Sequence, residues 1–107
     1  MADDAPFRVS NIARANASLA ALATRAIELG VRERLADCLR RIQEELRGRP
    51  LEWGEPKYRL RGAGLVMCVG FHDRISVTYG VHEQNRLVFV RYFEPQLGHP
   101  LYVPPDA

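Results

Sequence analysis

The residues best equipped for chemistry in this chain are its arginines. Fourteen of the fifteen basic residues are Arg, and Lys57 stands alone as Lys. A guanidinium grips phosphate or carboxylate through two parallel N–H donors, so the bias suits RNA or an acidic partner; GC-rich codon usage produces the same bias without any function. The three histidines, His72, His82 and His99, are the side chains whose charge changes near neutral pH. They lie on separate segments and lack the Asp or Cys spacing of a metal site, so no metal or other cofactor is expected. Asp73 and Glu83 are loop carboxylates, and Tyr79, Phe89 and Tyr92 are rings on which bases could stack. Arg40 and Arg41 belong to a helix face where acids nearly match bases, a pattern that serves a solvated surface as well as an acidic partner.

Composition bounds the rest. The chain has 107 residues, enough for one domain with a modest core, with 47% apolar and 26% charged residues. A net charge of +2 does not by itself point to nucleic acid. Cys38 and Cys68 sit in apolar patterns without a CxxC spacing, which reads as buried thiols in a reducing compartment. The acidic start, Met1 to Pro6, has no apolar stretch of a secretory signal, and no run approaches the length of a membrane span. A cytoplasmic protein without a membrane partner is therefore expected.

Two helices and a set of strands must position these groups. Residues 1–6 and 103–107 read as loose tails. Phe7–Ser10 alternates like a short edge strand, though a helix could equally start at Ser10. Asn16 and Ser18 are candidate N-caps for a first helix with Leu19, Leu22, Ala26 and Leu29 on one face, ended by Gly30. A second helix, Val31 to Arg47, carries Val31, Leu35, Cys38, Leu39, Ile42 and Leu46 as its apolar stripe, with Asp37–Arg41 as its favoured ion pair. Gly48 and Pro50 stop it, and Pro50, Gly54 and Pro56 argue for an irregular link around Trp53. The period then becomes that of strands. Tyr58–Arg61 alternates, Gly62-Ala63-Gly64 turns, and Leu65–Val69 is a continuous apolar run, consistent with a central strand covered on both faces. A turn follows over Gly70–Arg74. In Ile75–Val81 the odd positions should face the helices and the even ones solvent or a ligand. The last strand is Arg86–Phe93; by parity Tyr79 and Phe89 belong to the core and Tyr92 to the surface. Prolines exclude a long terminal helix, leaving a tail over the sheet. The expected fold class is α+β: an antiparallel two-helix hairpin on a small antiparallel β-sheet.

This order of elements resembles the RelE/ParE toxin superfamily of toxin–antitoxin pairs. Arg59-Leu60-Arg61-Gly62 is similar to the basic–Leu–Arg–Gly element of that family, and Val77-Thr78-Tyr79-Gly80-Val81 to its V-Y-x-V strand. Leu87 to Phe93 followed by Tyr102 completes the likeness over roughly residues 7–102. The resemblance implies an antitoxin protein as partner and a macromolecular target such as the ribosome with its mRNA. Members that cleave mRNA set several cations on one sheet face, because the transition state gathers negative charge on phosphate. This chain departs from that pattern. Val66-Met67-Cys68-Val69 stands where alternating Lys would be, Ser76 where an Arg would be, and Glu94–Gly98 where a basic segment would be. Arg59, Arg61, Arg74, Arg91, His99 and Tyr102 remain, with Arg61, Arg74, His99 and Tyr102 as catalytic candidates and Arg59, Arg91, Tyr92, Arg40 and Arg41 as binding candidates. Three readings follow: a toxin homologue acting by binding, a ribosome-dependent endonuclease with a rearranged basic cluster, and a non-toxic protein-binding module.

Overall fold

The computed structural model describes residues 5–104. Strand β1, Arg8–Asn11, leads into helix α1, Ala13–Leu29, and helix α2, Arg32–Gly48. A one-turn helix α3, Pro50–Trp53, precedes strands β2, Glu55–Leu60, β3, Leu65–His72, β4, Ile75–His82, and β5, Leu87–Pro95. The sheet order is β1-β5-β4-β3-β2. The expected α+β class and the two-helix, then-strands order hold.

The sheet is mixed, however, where an antiparallel one was expected. β1 runs parallel to β5, with Arg8 and Ile12 N–H groups donating to the Arg86 and Val90 carbonyls, while β2 to β5 are antiparallel. Four alternating residues can identify a strand, but its direction depends on the partner it meets after the whole helical excursion. This settles Phe7–Ser10 as strand rather than helix start, displaced by one residue.

Helix α1 begins earlier than its candidate caps. Ile12, in extended conformation, occupies the cap position without a side-chain bond. Asn16 and Ser18 lie inside the helix, and the Ser18 hydroxyl donates to Ala15 O at 2.9 Å. Alanine propensity at Ala13, Ala15 and Ala17 carries the helix back to the end of β1. Gly30 ends it in the left-handed conformation, φ 71°, with Val31 N–H closing onto Ala26 O at 2.9 Å. In α2 the expected Asp37–Arg41 pair gives way to Arg40–Asp37, and Arg41 turns to Glu44 and Glu45. The link after α2 is more ordered than its prolines suggested. Pro50 opens α3, where a missing N–H costs nothing, and Pro56 sits on the edge strand β2 beside a bulge.

The helices cover one face of the sheet. Leu22, Ala26, Leu35, Cys38, Ile42 and Leu46 meet the alternate residues Val66, Cys68, Ile75, Val77, Tyr79, Val81, Val88 and Val90, all buried. Every odd position of β4 is wholly inaccessible, as the alternation required. Phe89 does not join this core. It pairs with Gly80 and lies on the opposite face, between the buried Val88 and Val90. A bulge at Arg91 then resets the parity, so Phe93 turns inward and Tyr92, opposite Thr78, stays outside. Both cysteines are free and buried. Burial pushes the Cys38 thiol up to about 11, with Asp73 adding to the effect, and raises Cys68 too. The folded protein is therefore expected to take up no iodoacetamide at about pH 8, read by intact mass, whereas unfolded chain takes up two equivalents.

Candidate functional site

The uncovered face of the sheet carries a shallow cavity of about 490 Å³. Its residues follow from strand parity: Leu65 and Met67 from β3, Gly80 and His82 from β4, Leu87 and Phe89 from β5. Ile12, Leu60 and Ala63 form its walls, and Arg91 stands at the β5 bulge. Gly80 makes the depression. A Cβ there would sit 2.9 Å from the Met67 sulfur and 3.3 Å from Leu65 Cδ1. The surroundings are unusually apolar for a free surface: Ile12 is 41% exposed and Leu60 43%, with Tyr58 and Phe71 exposed on neighbouring strand positions.

The cations border this face rather than line its floor. Arg61 opens the 3₁₀ turn Arg61–Ala63 next to the cavity wall, whereas Arg59, opposite the core residue Val66, belongs to the other side of the sheet, near Leu51 and Glu83. Among the described residues, ion pairs join Arg34 to Asp73, Arg40 to Asp37, Arg41 to Glu44 and Glu45, Arg49 to Glu45, and Lys57 to Glu55. Arg59, Arg61 and Arg91 have no such carboxylate. Arg40 and Arg41 are engaged along α2, as the balanced charges of that face anticipated.

The remaining candidates stand at the other end of the strands. Arg74 is in the β3–β4 turn and donates to Leu97 O at 3.3 Å. His99 is buried, with Nδ1 accepting the Leu101 N–H at 3.0 Å. Tyr102 lines a groove of about 410 Å³ between α1 and the tail, with Arg25 and Phe93. Tyr92 lies under the Arg14 guanidinium, 4.3 Å from the ring centre. Ile75 and His82, at opposite ends of β4, are about 24 Å apart at the usual strand rise. The structure therefore does not bring Arg59 and Arg61 together with Arg74, His99 and Tyr102. A single phosphate cannot contact both sets.

Ionisation follows local partners. Arg34, hydrogen-bonded through two nitrogens at 2.8 Å, holds the Asp73 carboxyl below its ordinary value. Arg49 does the same for Glu45. Burial, then the charge of Arg34, lowers His99. No group of three or more His, Cys, Asp or Glu that could hold a metal ion occurs among the described residues. Among the described residues no helix is long and apolar enough to cross a membrane. The apolar face itself was only partly anticipated. The even positions of β4 do face outward, as alternation predicts, but Phe89, core by parity, lies on the open face, and β3, with an apolar run that predicts cover on both sides, is covered by the helices on one.

No protein-family model matches the chain, and no curated protein does. Among solved structures, it is similar to a chain of the RelBE2 toxin–antitoxin complex from Mycobacterium tuberculosis, with 20% identity and a TM-score of 0.54 over 85% of this chain and 99% of that one. The resemblance read from Arg59–Gly62 and from the order of elements is thus met at the level of architecture, and the chain has a RelE-like fold.

Proposed function

We propose that this protein is the toxin-type member of a toxin–antitoxin pair, acts by docking on a macromolecular target in the cytoplasm, and is neutralised by an antitoxin that covers the open sheet face. The observation that carries the reading is the chemistry of that face. Cleavage of RNA needs cations aimed at the scissile phosphate. Here the floor is Leu65, Met67, Gly80 and Phe89, Arg91 stands at its border, and Arg61 lies in the turn between the wall residues Leu60 and Ala63. An apolar floor with a cationic border suits a protein segment whose apolar residues fill the depression and whose acids meet the arginines. The RelE-like fold, found in a chain of a toxin–antitoxin complex, supports the same assignment.

Expression of the chain alone in a bacterial host is expected to arrest growth. Co-expression with the product of the adjacent gene is expected to restore growth and yield a stable complex. Unimpaired growth together with no complex with either neighbour's product removes the proposal.

The second reading is an mRNA endonuclease, favoured by Arg59, Arg61 and Arg91 having no carboxylate partner among the described residues. It predicts new 5′ ends on translated mRNA after induction, lost in Arg61→Ala. Primer extension without such ends, during growth arrest, excludes it and leaves docking.

A further inference from the structure

Gln96–Val103 runs from the end of β5 past the β3–β4 turn to α1, and its attachments converge on one imidazole. Gln96 N–H donates to Arg74 O at 2.7 Å, and the Arg74 guanidinium donates back to Leu97 O. His99 N–H donates to Gln96 O and Tyr102 N–H to His99 O, both at 3.0 Å. The ring of His99, 5% exposed, then accepts the Leu101 N–H at Nδ1 and so fixes Leu101, 1% exposed, in the core. Because Nδ1 accepts, the ring proton is on Nε2, which is buried with no hydrogen-bond partner among the described residues.

We propose that Gln96–Val103 is a proton-released strap, latched by the neutral ring of His99 and freed when that ring gains a second proton. The inference is independent of the function assigned above. Protonated imidazole has donors at both nitrogens. Its Nδ1–H would then oppose the Leu101 N–H, and the bond that seats Leu101 is lost. The new charge would be buried beside the Arg34 guanidinium of α2. Asp73, in the β3–β4 turn, is the carboxylate that could offset it, but both its oxygens already receive N–H groups from Arg34 at 2.8 Å. His72 also lies near Asp73, and Arg74 holds the strap from the same turn. Burial first and Arg34 second oppose protonation and only Asp73 favours it, in line with the lowered value of His99. The strap binds the extra proton less well when closed. Closure is therefore complete above the ordinary histidine value of 6.5 and weakens as pH falls from there through the closed-state value. Opening would uncover Leu101 and Phe93 and widen the groove against α1.

Amide hydrogen exchange at Leu101 and Tyr102, followed by NMR, tests this. After correction for intrinsic exchange, protection is expected to be constant from about pH 8 to 6.5 and then to fall by up to about tenfold per pH unit. In His99→Asn, whose side-chain oxygen can accept an N–H two residues on but does not titrate, protection should stay within about twofold across the range. His72→Gln and His82→Gln should keep the wild-type response. Protection independent of pH in the wild type, or an equal acid loss in His99→Asn, overturns the proposal. Titration of the His99 ring in the unmodified protein decides the matter without any variant: a midpoint at or above 6.5 overturns it.

Discussion

Gly70→Ala is expected to destabilise the domain by about 3 kcal/mol or more, lowering the melting temperature by roughly 15 °C. Gly70 lies in β3 opposite Val77, on the helix side, under the indole of Trp53. A Cβ there would come within 3.0 Å of three atoms of the six-membered ring. The ring cannot simply lean away. It is stacked on Tyr79, with centroids 6.1 Å apart and planes 22° from parallel. Tyr79 in turn is fully buried and donates its hydroxyl to Pro50 O. Gly54 repeats the motif from the other side, since its Cβ would collide with the Tyr79 hydroxyl. Two glycines, one indole and one phenol therefore form a single wedge that fixes α3 to the sheet. The control is Gly62→Ala, where a Cβ meets nothing within 4 Å and the change should stay within about 0.5 kcal/mol. Tyr79→Phe isolates the polar part of the wedge. It leaves the Pro50 carbonyl without its donor and should cost about 1–3 kcal/mol, read from urea unfolding. A Gly70→Ala protein as stable as Gly62→Ala would show that the wedge does not constrain the fold.

That wedge also marks where sequence reasoning loses sight of the fold. Periodicity displayed both helices, the inward side of β4 and the left-handed stop at Gly30, because each rests on a local rule acting within a few residues. It also displayed the turn after β3, although the reversal is tighter than expected: Asp73 and Arg74 alone make it, with φ of 49° and 61°. The wedge depends on Trp53 reaching Gly70 across sixteen intervening positions, and no local pattern announces such a contact. Proline chemistry likewise misled around Pro50 and Pro56, because a proline at the first position of a helix or on an edge strand breaks nothing. The parallel pairing of β1 and the inward turn of Phe93 after the Arg91 bulge are equally non-local. For the candidate site, the residue types were visible but their grouping was not. Arg74 and His99 looked like companions of Arg61 until β4 set its length between them. The open face was hidden because Leu65, Met67 and Phe89 read as core, and core and docking surface have the same composition when only one side of a sheet is covered.

The pair of substitutions Ile12→Glu and Leu60→Glu is expected to weaken binding of the proposed antitoxin partner more than a hundredfold while changing stability by less than about 1 kcal/mol. Both side chains are exposed walls of the apolar depression, at 41% and 43%, so new carboxylates there remain hydrated in the free protein. In the complex they would be buried against apolar surface, and an unpaired buried charge costs several kcal/mol. The asymmetry between free and bound states is what separates a docking face from an ordinary core. Arg91→Glu should act differently. It sits at the border and would chiefly slow association with an acidic segment and flatten the dependence of that rate on salt. The same titrations separate the two functional readings. Docking on an apolar floor loses little affinity as salt rises, whereas an RNA strand held through several arginines loses affinity steeply. If Ile12→Glu with Leu60→Glu leaves partner affinity within about threefold in calorimetry, the open face is not the docking surface. Arg61 and the half-buried Arg91 then become the contacts to remove next, because neither is ion-paired among the described residues.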